Sequence, residues 1–137
     1  EITVFGQNAI TIAEAKVLPY IAAGDIGYWS AFMKGIGCNL LVNVAILLAL
    51  SSKAMIGKFF GIWFPIMAFV ATGFEHCVAN MYFIPAGIML GANVTWAQFI
   101  QWNLIPVTLG NIVGGFIFIG AVYCYSFKKE LSTSSQS

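Results

Sequence analysis

Charged residues are scarce in this sequence, and arginine is absent. Aspartate, glutamate, lysine and arginine make up 8% of the 137 residues, whereas 60% are hydrophobic. A soluble globular domain carries about a quarter charged residues, so this composition excludes a chain whose surface faces water on all sides. It predicts an integral membrane protein. The formal net charge of +1 also excludes the concentrated basic face with which proteins bind nucleic acid.

The residues that usually carry enzyme chemistry are few. The sequence has one histidine, and its three cysteines, Cys38, Cys77 and Cys124, lie in apolar runs without a CxxC spacing. Cysteines in such surroundings are typically small buried hydrophobic residues. No metal-ligand set and no nucleophile–base pair is visible. We therefore expect that the chain is not an enzyme and binds neither a metal ion nor a cofactor.

Apolar runs predict an all-α fold with three transmembrane helices. No residue from 35 to 52 is charged, and a helix over 28–51 is long enough to cross about 30 Å of hydrocarbon at about 1.5 Å per residue. The last run, 97–127, predicts another crossing. Its spacing Gly110-xxx-Gly114 is the small-residue pattern that lets membrane helices approach closely.

The run between these two spans predicts a broken helix. Residues 57–90 are too many for one simple crossing, and they include prolines, glycines and the adjacent ionisable residues Glu75 and His76. We predict two half-helices, 57–73 and 77–90, that meet near the bilayer midplane. Irregular backbone is tolerated at that depth only where it is buried in protein or lines a water-filled cavity.

The lysines next to the spans predict the orientation. With three spans, the pair after the first and the pair after the third lie on the same side of the membrane: Lys53, Lys58, Lys128 and Lys129. The positive-inside rule identifies that side as cytoplasmic. Residues 1–27 then form a non-cytoplasmic segment leading into the membrane, 28–127 the transmembrane part and 128–137 a cytoplasmic polar tail. We expect a multi-pass protein of the plasma membrane or a bacterial inner membrane.

Glu75 and His76 are the pair of ionisable residues deepest in apolar surroundings. A charged side chain at the bilayer centre costs at least about 2.5 kcal/mol, so such a pair predicts function. Histidine changes its charge near physiological pH. In a dry pore His76 could offer an N–H or a proton to an anion, and a neutral acid avoids most of the desolvation cost. Glu75 would repel an anion, so we interpret it, with Gly73, as structural at the break, its carboxylate bonding exposed backbone N–H groups.

Polar and aromatic residues near this pair extend the prediction. Asn80 lies one helical turn after His76 and could share its lumen. Phe69 lies two turns before His76 and could form a hydrophobic constriction. We interpret the other asparagines at membrane depth as hydrogen-bonding links between helices: Asn39, Asn43, Asn103 and Asn111.

Two runs strongly resemble the formate/nitrite transporter family, which includes formate, nitrite and hydrosulfide channels. They are GIWFPIMAFVATGFEHCVANMYFIP (61–85) and NLIPVTLGNIVGG (103–115), and KGIGCNLLVNVA (34–45) resembles the family's fourth helix. The resemblance implies the C-terminal half of a six-helix, inverted-repeat, aquaporin-like channel fold, with the predicted spans as helices four to six. It also implies a homopentamer in which each protomer has its own pore.

The resemblance assigns roles to individual residues. It makes His76 the central pore histidine, Asn80 the asparagine near it and Phe69 the phenylalanine of a hydrophobic constriction. It places Lys16 in a vestibule and Val42 at the constriction on the cytoplasmic side. It also implies that helices one to three are missing from this chain, which begins with Glu rather than Met. We expect them on the same polypeptide or on a separate chain.

The leading hypothesis is a channel in the lipid bilayer for small monovalent anions of the formate, nitrite or hydrosulfide class. Two alternatives stay open. An aquaporin-like pore for neutral solutes also uses half-helices, although its paired Asn-Pro-Ala turns do not occur here. A non-conducting scaffold subunit would need no histidine at the midplane.

Overall fold

The computed structural model describes residues 3–128, and these form helices without any strand. The helices follow one another with short connections: α1 (Val4–Ala22), α2 (Asp25–Ser51), α3 (Met55–Ala71), α4 (Cys77–Met89) and α5 (Trp96–Ser126). The all-α class predicted from the sequence is confirmed for this part of the chain. Of the predicted polar tail, 128–137, all but Lys128 lies outside the described residues.

The segment before the first predicted span is itself a helix. α1 begins after Thr3, whose hydroxyl accepts a hydrogen bond from the backbone N–H of Gly6 at 3.3 Å, the usual role of a threonine N-cap. It packs along α4, where a Cβ atom on Gly87 would lie 2.6 Å from the Ala9 carbonyl oxygen. The sequence predicted only an approach to the membrane here, because charged residues interrupt the apolar run and the partner helix is distant along the chain.

α2 crosses α5 at very short range. A Cβ atom on Gly110 would meet the Phe32 carbonyl oxygen, and one on Gly114 would meet the Ile36 carbonyl oxygen. Only glycine lets the two backbones come this close. The close approach predicted from the Gly110-xxx-Gly114 spacing is confirmed. α2 also packs against α3, so it contacts α3 as well as α5.

A non-helical segment, 72–76, separates α3 from α4. α3 ends in a Schellman motif. The Phe74 N–H donates to the Phe69 carbonyl at 3.1 Å, and the Gly73 N–H donates to the Val70 carbonyl at 3.1 Å. Gly73 has a φ of 67°, a left-handed conformation that glycine adopts without steric cost. Gly73 thus provides the turn that ends α3 at Ala71, two residues before the end predicted for the first half-helix.

Among the described helices, α2 and α5 are long and apolar enough to cross a membrane. α3 has 17 residues and α4 has 13, so at about 1.5 Å per residue each is shorter than the hydrocarbon core of about 30 Å. Only the two together could reach across. α5 differs from the simple helix that was predicted, since it widens into π-helical turns at Ile100–Leu104 and Val113–Ala121.

Replacing Gly73 by alanine is expected to destabilise the protein by about 1–2 kcal/mol. No atom lies within 4 Å of the position of the new Cβ, so the cost arises from the left-handed backbone and not from a clash. Thermal unfolding in detergent measures it. Gly120→Ala is the control, because Gly120 is helical and its nearest neighbour would lie 3.5 Å from the new methyl group. Equal losses in both variants would contradict this account of Gly73.

Candidate functional site

Glu75 is buried at the break, with 3% of the residue exposed. Its carboxylate accepts hydrogen bonds from three side chains, at 2.9, 2.8 and 2.6 Å: Lys16 Nζ, Tyr20 Oη and Asn80 Nδ2. The first of these is also an ion pair. The expectation that this carboxylate bonds backbone N–H groups is wrong about the partners. The reason is that α1, whose packing was not predicted, brings Lys16 and Tyr20 to it.

Further contacts hold these donors in place. Tyr20 Oη accepts a hydrogen bond from Lys34 Nζ at 3.3 Å, and Asn80 Nδ2 also donates to Asn103 Oδ1 at 2.9 Å. Asn103 Nδ2 in turn donates to the Lys16 carbonyl oxygen at 2.9 Å. The network therefore joins α1, α2, α4 and α5 around one carboxylate. A buried charge is tolerated when it is paired and hydrogen-bonded in this way.

Asn111, which is 6% exposed, forms hydrogen bonds with the backbone at the break. Its Oδ1 accepts a hydrogen bond from the Cys77 N–H at 3.1 Å, and its Nδ2 donates to the carbonyl oxygens of Glu75 and Gly35, both at 2.9 Å. Backbone groups that leave a helix in apolar surroundings need such partners. The interpretation of Asn111 as a link between helices is confirmed, and its attachment to the break is an additional finding.

His76 occupies the N-cap position of α4, and its side chain makes no capping hydrogen bond. The residue is half-buried, and the centroid of its ring lies 6.2 Å from that of Phe69. Its Nδ1 atom is buried and has no hydrogen-bond partner among the described residues. A buried polar atom without a partner is unusual in a folded protein.

A cavity of about 480 Å³ lies beside the break. It brings together five of the residues that the sequence indicated, since its lining includes Lys16, Phe69, Gly73, His76 and Asn80. Glu75 is not part of the lining but bonds two of these residues. Val42 on α2 is not part of the lining either, so this cavity does not join it to the histidine.

The charges around this cavity favour an anion. Lys16 makes one hydrogen bond to Glu75, and because an ammonium group has three N–H donors, it keeps donors for a ligand. Lys34 adds a second positive charge to the same network through Tyr20, against one carboxylate. Together with the imidazole nitrogen and mostly apolar walls, this arrangement suits a small anion.

Sequence reasoning missed two members of the network, Tyr20 and Lys34. Lys34 carried a signal, because it is a lysine directly before a long uncharged run. Tyr20 carried none, because its role depends on the packing of α1 against the break. Asn103 and Asn111 were recognised as links between helices, but their partners follow only from the structure.

Three similarities to known proteins agree with a site for a small anion. The family model described as formate/nitrite transporter matches residues 2–125. The chain is 57% identical over 130 residues to a probable formate transporter of Methanothermobacter thermautotrophicus, and the match covers 90% of this chain and 47% of that protein. It is 36% identical over 144 residues to the formate channel FocA of Escherichia coli strain K12, with 92% and 48% covered.

The fold also has a solved counterpart. A pentameric formate channel with formate bound aligns with the chain at a TM-score of 0.74 and 36% identity. The alignment covers 89% of this chain and 52% of that one. The chain therefore spans about half the length of the relatives that it matches.

Proposed function

Because the chain belongs to the formate/nitrite transporter family, we propose that it forms one half of a channel for small monovalent anions of the formate, nitrite or hydrosulfide class. The observation that carries the proposal is the cavity in which Lys16 and His76 meet mostly apolar walls. Helices one to three, on the same polypeptide or on a separate chain, would complete the pore. The complete protein is proposed to be a homopentamer, because its solved relative is a pentameric channel.

Two groups lower the barrier to passage in this proposal. The Lys16 ammonium group attracts the anion into the cavity, where the low dielectric strengthens the attraction. His76 then offers an N–H to the anion or gives it a proton. A neutral acid crosses apolar surroundings without the large desolvation cost of a bare ion. Both passive and proton-linked passage fit this arrangement.

The walls of the cavity supply the selectivity filter in this proposal. Phe69 stands beside the histidine, and a ring of apolar groups gates a pore by excluding water. Asn80 belongs to the lining of the cavity and is held by Glu75 and Asn103, so in this proposal it fixes the wall of the pore next to the histidine. Val42 would narrow the pore on the cytoplasmic side together with the missing half.

The proposed topology follows from the helix lengths and the lysines. α3 and α4 each cover only part of the hydrocarbon core, so the break between them is proposed to lie near the bilayer midplane. Lys53, between α2 and α3, and Lys58, in the first turn of α3, face the cytoplasm together with the C-terminus. The residues before α2 then lie towards the opposite side.

Flux measurements on the full-length protein in liposomes test the function. Formate or nitrite is expected to enter vesicles that contain the protein faster than it enters empty vesicles, whereas glycerol should enter both at the same rate. The charged groups at the cavity are the reason for this difference. A glycerol flux equal to the anion flux would identify a neutral-solute pore, and the absence of either flux would identify a scaffold subunit.

A further inference from the structure

We propose that Asn111 is a positioning residue for His76, because it caps α4 in place of the histidine. The inference rests on the proposed function, since it takes His76 as the residue that meets the anion. Asn111 is not part of the cavity lining. Its side chain bonds the peptide groups on both sides of the histidine, at Glu75 and Cys77. It therefore acts through His76 and not on the anion.

The start of α4 lacks the usual cap. An N-cap residue normally uses a side-chain oxygen to accept a hydrogen bond from a backbone N–H of the first turn. His76 has no such oxygen and makes no capping bond. Asn111 Oδ1 instead accepts the hydrogen bond of the Cys77 N–H, at 3.1 Å. Because this cap comes from α5, the N-cap position can hold a histidine whose ring remains free to line the cavity.

The same amide fixes the peptide group before the histidine. Its Nδ2 donates to the Glu75 carbonyl oxygen and to the Gly35 carbonyl oxygen, both at 2.9 Å. The Glu75 N–H donates to the Lys34 carbonyl oxygen at 3.4 Å. Two neighbouring carbonyl groups of α2 thus hold the break, one directly and one through Asn111. A backbone that is fixed before and after His76 sets the direction of its ring.

The three bonds require an amide. A planar amide offers an acceptor and two donors in one group. Leucine has a similar shape but neither kind of group. A protonated aspartic acid keeps an acceptor and one donor. In Asn111→Leu the Cys77 N–H loses its partner in a part-buried position, which favours other conformations of segment 72–76.

A double-mutant cycle on anion flux tests the proposal, with the full-length protein in liposomes. It compares the native protein, Asn111→Leu, His76→Ala and the double variant. Asn111→Leu is expected to lower the flux by about tenfold or more, as misplacing a functional group does. If Asn111 acts through His76, the double variant has the same flux as His76→Ala. Losses that multiply, or an unchanged flux in Asn111→Leu, would overturn the proposal.

Hydrogen exchange provides a second readout. Peptides that contain residues 72–77 are expected to exchange faster in Asn111→Leu, because the Cys77 N–H has lost its acceptor, while peptides from α2 keep the native rate. Asn111→Asp is a milder variant for a case in which the leucine variant does not assemble, and it should show the same change to a smaller extent. Native exchange at 72–77 in both variants would overturn the proposal.

Asn43→Leu is the matched control. The Asn43 amide donates to the Asn39 carbonyl oxygen at 2.8 Å and to Asn39 Oδ1 at 3.3 Å, both within α2, so this variant should keep the native exchange at 72–77. Failure of the proposed function has a different signature, since His76→Ala would then conduct like the native protein. If only this inference fails, the anion flux of His76→Ala is still reduced.

Discussion

Alanine in place of His76 is expected to reduce anion flux by about a hundredfold or more, the effect typical of a lost proton donor or acceptor. His76 is part of the lining of the cavity, so its imidazole can contact a ligand there. Anion flux into liposomes, measured from about pH 5 to pH 8, checks the prediction. Because alanine neither donates nor accepts a proton, the pH response of the flux should weaken when the ring is removed.

His76→Gln separates the two possible roles of the ring. Glutamine keeps an N–H donor but does not transfer a proton in this pH range. Flux close to native in this variant would indicate hydrogen bonding, and flux as low as in His76→Ala would indicate proton transfer. Thermal unfolding in detergent checks that both variants remain folded. If His76→Ala left flux and pH response unchanged, His76 would have no part in the mechanism.

Methionine in place of Lys16 is expected to destabilise the protein by about 3 kcal/mol, the lower end of the range for removing one partner of a buried ion pair. Glu75 is buried, and it would lose the cation at 2.9 Å from its carboxylate. The lower end applies because the Lys16 side chain is 26% exposed. Chemical or thermal unfolding in detergent measures the loss. The anion flux should also fall, because the cavity loses its ammonium group.

A second substitution distinguishes the ion pair from other effects at this position. Lys16→Met combined with Glu75→Gln should be more stable than Lys16→Met alone, because a neutral amide in place of the carboxylate leaves no unpaired buried charge. Its flux should stay low. Lys58→Met, at an exposed position of α3, is the control and should change stability by less than about 0.5 kcal/mol. A double variant less stable than Lys16→Met would contradict this account.

At the break, segment 72–76, some features could be predicted from the local sequence. Gly73 ends α3 because glycine adopts the left-handed conformation that a Schellman motif needs, and this requirement is local. Glu75 and His76 stand out because ionisable residues are costly in apolar surroundings. The close approach at Gly110 and Gly114 could also be predicted, because the spacing of small residues is a property of one helix.

The partners of these residues were not predictable in the same way. Tyr20 and Lys16 reach Glu75 across more than 50 positions of sequence, because α1 packs on α4. The expectation that Glu75 bonds backbone N–H groups failed for this reason, since the backbone at the break has other partners. Asn111 provides two of these bonds from α5.

Composition and pattern alone determined that the chain is apolar and helical and that a break next to a histidine follows the helix 55–71. These properties depend on residue type and on neighbours within a few turns. Tertiary structure decided which donors hold the carboxylate, which amide caps α4 and which side chains share the cavity. Those contacts join helices that are distant in sequence, and their geometry depends on how closely the backbones approach. The pattern within a single helix does not specify which helix packs against it.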